Sequence, residues 1–225
     1  MKIQSFNRFN YQNRTKSPNF RAIPLYDVTL LDKLGEKGIK ATVVELEKNN
    51  AKDIFAIDEV AKQCDRKNSW LTQKPDWIFF SILDHFKRPN EIRKTKYYAV
   101  TVPDKDNFKI LGCMSLNENS RTEGKLLWLN DLFVSNDVAK RNEGRNLRGV
   151  GEVLLGEAIR LAKNSKNFAL DFISVADKFY DHSFNNAKIG NARLRDTSAE
   201  YRVEQSKFDK FLEYCDKKYS ATIQK

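Results

Sequence analysis

Apolar residues along the chain fall in short runs of differing period, and the period predicts the elements. Residues 39–46 hold Ile39, Thr42, Val43 and Val44, a β-branched enrichment that reads as a strand. Asn49 and Asn50 break it, and Ile54, Phe55, Ile57, Val60 and Ala61 then recur at helical spacing over 53–64. After a mostly polar stretch at 65–73, Pro75 suits the start of a second helix carrying Trp77, Ile78, Phe80, Ile82, Leu83 and Phe86. Pro89 and Asn90 end that helix. Residues 97–102, 107–115 and 125–134 read as three strands of an antiparallel meander, with 103–106 as a turn. Upstream, 23–34 predicts a short helix stopped near Gly35 and Gly38. From Val150 the apolar residues are Val150, Val153, Leu154, Ala158, Leu161 and Ala162, again helical. Glu152, Glu157, Arg160 and Lys163 lie mainly on the other side of that helix. Residues 168–175 return to a strand. Near the end, Thr197 and Glu200 bracket a capping box. It precedes an amphipathic helix marked by Tyr201, Phe208, Phe211, Leu212, Cys215 and Tyr219. Residues 185–196 leave room for one or two short strands at most.

The stretch with the most chemical content joins the strand at 125–134 to the helix at Val150. A polar loop closes on Gly149 and Gly151, which flank Val150. The first N–H groups of a helix lack intrahelical partners and carry partial positive charge. Glycines let an anion approach such a backbone, and Arg145 and Arg148 add charge beside it. These are the parts of a phosphate site, although the same spacing fits a plain turn with two solvated arginines. A P-loop requires Lys followed by Ser or Thr after its last glycine, where Glu152 and Val153 stand. A dinucleotide fold requires a third glycine, where Leu154 stands, and has no loop as long as 135–148.

The run Asn146, Leu147, Arg148, Gly149, Val150, Gly151 resembles the coenzyme signature of the GNAT superfamily of N-acetyltransferases. It departs at its first position, where the family has Arg or Gln and this chain has Asn146, with Arg145 one residue early. The order strand, helix, helix, three strands, helix, strand also resembles that family over roughly residues 40–184. The resemblance implies an α+β fold: a mixed, mostly antiparallel central sheet flanked by helices, here with an N-terminal extension and a C-terminal helix. It implies acetyl-CoA as co-substrate and no metal. The coenzyme diphosphate would lie on the amides of Asn146, Leu147, Arg148, Gly149, Val150, Gly151 and Glu152. The pantetheine arm and thioester would lie along a splayed strand at Leu132, Phe133 and Val134. The family's tyrosine after its fifth strand maps onto Tyr180, within the run from Ala176 to Tyr180. A phenol with a pKa of ~10 keeps its proton at neutral pH and can donate it to a departing thiolate. Two departures stand near it: Ile173 replaces the family's asparagine, and Ser183, Phe184 and Asn185 stand where Gly-Phe is usual. Tyr180 also fits a core aromatic. Asp131 stands where the family often has a carboxylate, and fits either a proton relay through water or a structural role.

Composition narrows the setting. The chain has 225 residues, 40% hydrophobic and 12% aromatic, enough for one sizeable core. Its net charge of +10 suits anionic partners, and equally a lysine-rich solvated surface. Residues 1–22 carry Lys2, Arg8, Arg14, Lys16 and Arg21, with no acid, interleaved with Phe6, Phe9, Tyr11 and Phe20. We read them as a basic, loosely ordered arm ahead of a domain at 23–225. Contact of the arm with nucleic acid is the less favoured use of that mixture. Cys64, Cys113 and Cys215 are odd in number and widely spaced, and with His85 and His182 they complete no metal-ligand spacing. That pattern suits a reduced, cytoplasmic setting. No apolar run is long enough to span a bilayer. The expected activity is therefore acetyl transfer to an amine whose identity the residues do not give. Asp76 and Asp84 are carboxylates that could attract it. The alternative is a GNAT-like binding module without turnover, whose basic arm contacts nucleic acid or a protein.

Overall fold

The computed structural model describes residues 22–32, 38–47, 50–63, 95–104, 107–121, 124–135, 138, 147–174, 176–195 and 199–219. Residues 1–21 of the arm, the helix predicted after Pro75 with Asp76 and Asp84, and Asn146 lie outside the described residues, while Ala22, the arm's last residue, is buried in the core. Among the described residues eight strands form one sheet: β1 (Ile23–Asp32), β2 (Gly38–Leu46), β3 (Lys96–Asp104), β4 (Asn107–Arg121), β5 (Gly124–Val134), β6 (Leu147–Arg148), β7 (Ala169–Ile173) and β8 (Glu200–Glu204). The helices are α1 (Ala51–Gln63), α2 (Val150–Asn164), α3 (Asp177–Asn186) and α4 (Gln205–Tyr219). The sheet order is β6-β1-β2-β3-β4-β5-β7-β8, and every pairing is antiparallel except β5 with β7. This is the mixed, mostly antiparallel sheet expected from the resemblance.

The sheet buries both faces. On one, Val44, Leu46, Tyr97, Ala99, Cys113 and Phe133 pack with Ala56, Ile57 and Val60 of α1. On the other, Val28, Leu30, Met114, Leu129 and Phe172 pack with α2, α3 and α4. The α1 helix starts two residues earlier than its apolar spacing suggests, because Asn50 Oδ1 accepts the Lys52 amide at 2.9 Å.

Two expectations are corrected. Residues 23–32 form a strand, not a helix. Their apolar residues fit both periods locally, but β2 supplies a partner, with Val28 opposite Ala41 and Leu30 opposite Ile39. Tyr26, Val28 and Leu30 then share one face, and Pro24 sits beside a register shift where its missing N–H is tolerated. Near the C-terminus, Glu200 does not cap a helix. The alternation Glu200, Tyr201, Arg202, Val203, Glu204 forms β8 against β7, with Tyr201 and Val203 buried and Arg202 turned to Asp171 of β7 at 2.7 and 2.8 Å. The helix begins only at Gln205 and buries Phe208, Phe211, Leu212, Cys215 and Tyr219 as predicted. Among the described residues between α3 and β8, Arg193 forms an isolated bridge with Tyr201.

Candidate functional site: the gap between β5 and β7

The β5 and β7 strands pair only from Leu127 to Leu129, opposite Leu170 to Phe172. Beyond Leu129, β5 takes a register shift that leaves Asn130 extra: Leu116 pairs with Leu129, but Ser115 pairs with Asp131. Bulges of this kind bend a strand and end a pairing. From there β5 follows β4 alone, with Met114 opposite Leu132, Cys113 opposite Phe133 and Gly112 opposite Val134. Among the described residues no strand lies on its other side over 130–134, while β7 ends at Ile173. Leu132 to Val134, where the resemblance expects the thioester, lie in β5 beyond the last β5–β7 pair.

The α2 helix starts at the mouth of the gap. Gly112 lets it approach the sheet, since a Cβ there would stand 2.7 Å from both the Phe133 carbonyl oxygen and Val150 Cγ1. Gly149 is the N-cap, with φ 104° and no side-chain hydrogen bond to the helix. The Val153 amide donates to Gly149 O at 2.8 Å. The amides of Val150, Gly151 and Glu152 precede that bond and have no acceptor within the helix.

Both glycines are also needed by the protein's own packing. A Cβ on Gly149 would fall 2.2 Å from the Tyr219 ring. One on Gly151 would fall 3.0 Å from the Phe179 ring and 3.5 Å from Val134 Cγ2. Aromatic rings therefore fill the space that a side chain would take at either position, and what the turn can offer a ligand is its backbone. Of the expected coenzyme residues, Arg148 is exposed, Gly149 is half-buried, and Leu147, Val150, Gly151 and Glu152 are buried. Leu147 and Arg148 form β6 against Asp32 and Leu31 at the far edge of the sheet.

Gly151, Val134 and Phe179 thus bring the ends of β5, α2 and α3 together. Tyr180 follows Phe179, with its ring centroid 4.5 Å from Phe172, 4.9 Å from Phe179 and 5.6 Å from Tyr201. Burial, with the Tyr201 phenol beside it, pushes the Tyr180 phenol well above its ordinary value. Tyr201 in turn donates to Asp181 at 2.9 Å, and Arg193 grips the same carboxylate at 2.6 and 3.2 Å. Those hydrogen bonds, Arg193 first, hold Asp181 below the usual carboxylate range. Asp131 is two residues from Phe133 and shares its α1-side face, where Ser115 Oγ donates to it at 3.0 Å. Asp131 and Tyr180 therefore stand on opposite faces of the sheet at the gap.

Glu152 is the largest surprise. The sequence places it with the outward polar residues, but it is only 6% exposed and Glu157 only 2%. Its carboxylate accepts from Lys218 Nζ at 2.7 Å, Ser183 Oγ at 3.2 Å, Tyr214 Oη at 3.3 Å and Tyr219 Oη. Burial disfavours the charged form. The hydrogen bonds from Lys218, Tyr219 and Ser183, with the Lys218 charge, outweigh it and hold this carboxyl below its ordinary value. The signal was present in a second stripe: Glu152 heads Leu155, Ile159 and Ala162, all fully buried under α4 and the sheet. Tyr219 and Lys218 close the predicted C-terminal helix, but nothing in its spacing says where they dock.

No family model matches the chain, and no curated protein matches it. Solved structures do. The GNAT domain of S. lividans PAT is 14% identical, covers 80% of this chain and 95% of its own, and superposes with a TM-score of 0.50. A structure of AtaTR bound with AcCoA is 12% identical over 75% of this chain and 96% of its own, with a TM-score of 0.45. A possible acetyltransferase from Clostridium difficile 630 is 15% identical over 72% and 97%, also at 0.45. The strand order, the gap beside β5 and the likeness to the S. lividans domain give this chain the fold of the GNAT superfamily of N-acetyltransferases.

Proposed function

We propose that the chain is an acetyl-CoA-dependent N-acyltransferase that moves an acetyl group to an amine by direct attack in a ternary complex. The observation that carries this reading is the gap itself. A strand edge at 130–134, beyond the last β5–β7 pair, leads to a helix start whose amides have no internal acceptor. An extended pantetheine arm carries amides that can pair with such an edge as a strand would. The diphosphate suits the N–H groups of Val150, Gly151 and Glu152, with the exposed Arg148 adding charge.

The reaction forms a bond from the amine nitrogen to the acetyl carbon and breaks the carbon–sulphur bond. One proton must leave the nitrogen and one must reach the sulphur. A free lysine-type amine has a pKa of ~10.4 and is mostly protonated at neutral pH, so a base has work to do. In this reading Asp131, held by Ser115, takes the nitrogen's proton through water on the α1 side. Tyr180 donates from its hydroxyl on the α2 side. Burial keeps that hydroxyl protonated at neutral pH; it gives its proton to the sulphur as the carbon–sulphur bond breaks, and the tyrosinate left behind recovers a proton from solvent. Backbone groups of Leu132, Phe133 and Val134 orient the thioester.

Two measurements test this together. A ligand at one hundred times its dissociation constant stabilises the fold by ~2.7 kcal/mol, so millimolar acetyl-CoA should raise the melting temperature. Turnover over a panel of amines should release free thiol. Absence of any thermal shift contradicts the proposal. A shift without turnover on any amine would make the chain a GNAT-like binding module instead.

A further inference from the structure

Glu152 raises an electrostatic problem for the turn it stabilises. It lies in the first turn of α2, among the amides proposed to hold a diphosphate, and a buried carboxylate there repels an anion. Its counter-charge comes from sixty-odd residues away in sequence, at the last turn of α4. Lys218 Nζ lies 2.7 Å from Glu152 Oε2 and 2.6 Å from Tyr214 Oη, with the rings of Tyr214 and Tyr219 at 5.0 and 5.3 Å. Tyr219 donates to the same carboxylate and lays its ring on Gly149. Cys215 Sγ approaches the Glu152 carbonyl oxygen at 3.7 Å. One turn of α4 therefore fixes the left-handed glycine and neutralises the carboxylate behind it.

We infer that Lys218 is a positioning residue for the coenzyme: it cancels the Glu152 charge, and Tyr219 holds the glycine turn, so that the end of α4 sets affinity for the diphosphate. The inference rests on the proposed coenzyme site and adds a control over it. It distinguishes charge from bracing, because the two predict opposite effects at Glu152. If charge governs, Glu152→Gln leaves Lys218 unopposed and tightens coenzyme A binding. If the cluster is only a brace, the same substitution loosens the turn and weakens binding.

The test is titration calorimetry with coenzyme A on the full chain and four variants. Removing or exposing one charge beside a bound anion is worth roughly two- to tenfold in affinity. Lys218→Met should weaken binding by that factor, Glu152→Gln should tighten it, and Glu152→Gln with Lys218→Met should return close to wild type. Lys218→Arg should hold wild-type affinity. Circular dichroism and urea unfolding on each variant verify the fold, and the double variant, which buries no unpaired charge, guards against misfolding of Lys218→Met alone. Weakening by both single substitutions, or no change from either, overturns the inference while the coenzyme site stands. Failure of the wild-type chain to bind coenzyme A overturns the coenzyme site and the inference with it.

Discussion

Tyr180 is the residue whose role is least determined by its surroundings. Its ring is walled by Phe172, Phe179, Phe184 and Tyr201, so Tyr180→Phe keeps the packing and should change stability little. General acid catalysis is typically worth ~10²–10⁴-fold. Turnover of the Phe variant should accordingly fall at least about tenfold with coenzyme affinity unchanged. Because burial raises the phenol, any basic limb that it contributes to the wild-type pH–rate profile should lie above the ordinary tyrosine range. Wild-type turnover by the Phe variant would reduce Tyr180 to a packing residue. Gly149 makes a different kind of demand. Alanine there meets both a φ of 104° and the Tyr219 ring. Gly149→Ala should cost at least about 2 kcal/mol in urea unfolding, and a neutral result would mean that the α4 end moves freely.

The element that binds these residues is α2. It packs against the sheet with Val150, Val153, Leu154 and Ala158, and against α4 with a second stripe that includes Gly156. A Cβ at Gly156 would stand 3.2 Å from Cys215 Sγ. Glycine in a helix interior costs roughly 0.5–1 kcal/mol relative to alanine, so two effects oppose each other at this position. In a Cys215→Ala background Gly156→Ala should stabilise by about that amount, and in the wild-type background by less. Equal gains in both backgrounds would show that the two helices are not in close contact there. Elements whose burial follows one period were legible in the sequence: β3, β4 and β5 as a meander, α2, β7, and the apolar stripe of α4. The misread elements had locally ambiguous periods that only a partner resolves. Tyr26, Val28 and Leu30 become a strand face because β2 lies beside them, and Tyr201 and Val203 because β7 does. The glycine turn was visible, yet its reason was incomplete. Gly149 and Gly151 look like access for an anion, whereas Tyr219 and Phe179, distant in sequence or in another element, also require them. Glu152 was misplaced because a helix covered on two sides has no outward face at that position.

At the scale of the molecule, burial of acids sets how stability responds to pH. Burial pushes Glu157 up to about 7, against the hydrogen bond from Tyr26 and the charge of Arg160. It pushes Asp53, which accepts the Glu47 amide, up to about 6. A carboxyl whose folded pKa is raised binds its proton more tightly folded than unfolded, so its contribution is present at low pH and is lost as pH rises from the unfolded value through the folded one. Glu152 and Asp181 are lowered and act in the opposite sense: their contribution is lost as pH falls below the ordinary carboxylate range. Stability should therefore decline between about pH 4.5 and 7. Glu157→Gln should flatten that decline and gain about 1–3 kcal/mol at pH 8 relative to wild type. Urea unfolding across the window checks this, and an unchanged slope in the Gln variant would remove Glu157 from the account.

In the proposed complex acetyl-CoA seats its diphosphate on the start of α2, beside the part of β5 that lies beyond its pairing with β7. The most direct measurement is a titration of the ¹⁵N-labelled chain with acetyl-CoA, followed through the amide resonances. The account predicts saturable shifts concentrated at Val150, Gly151 and Glu152 and along Leu132 to Val134, with α1 little affected. Shifts that avoid both segments, or none at millimolar acetyl-CoA, would contradict it.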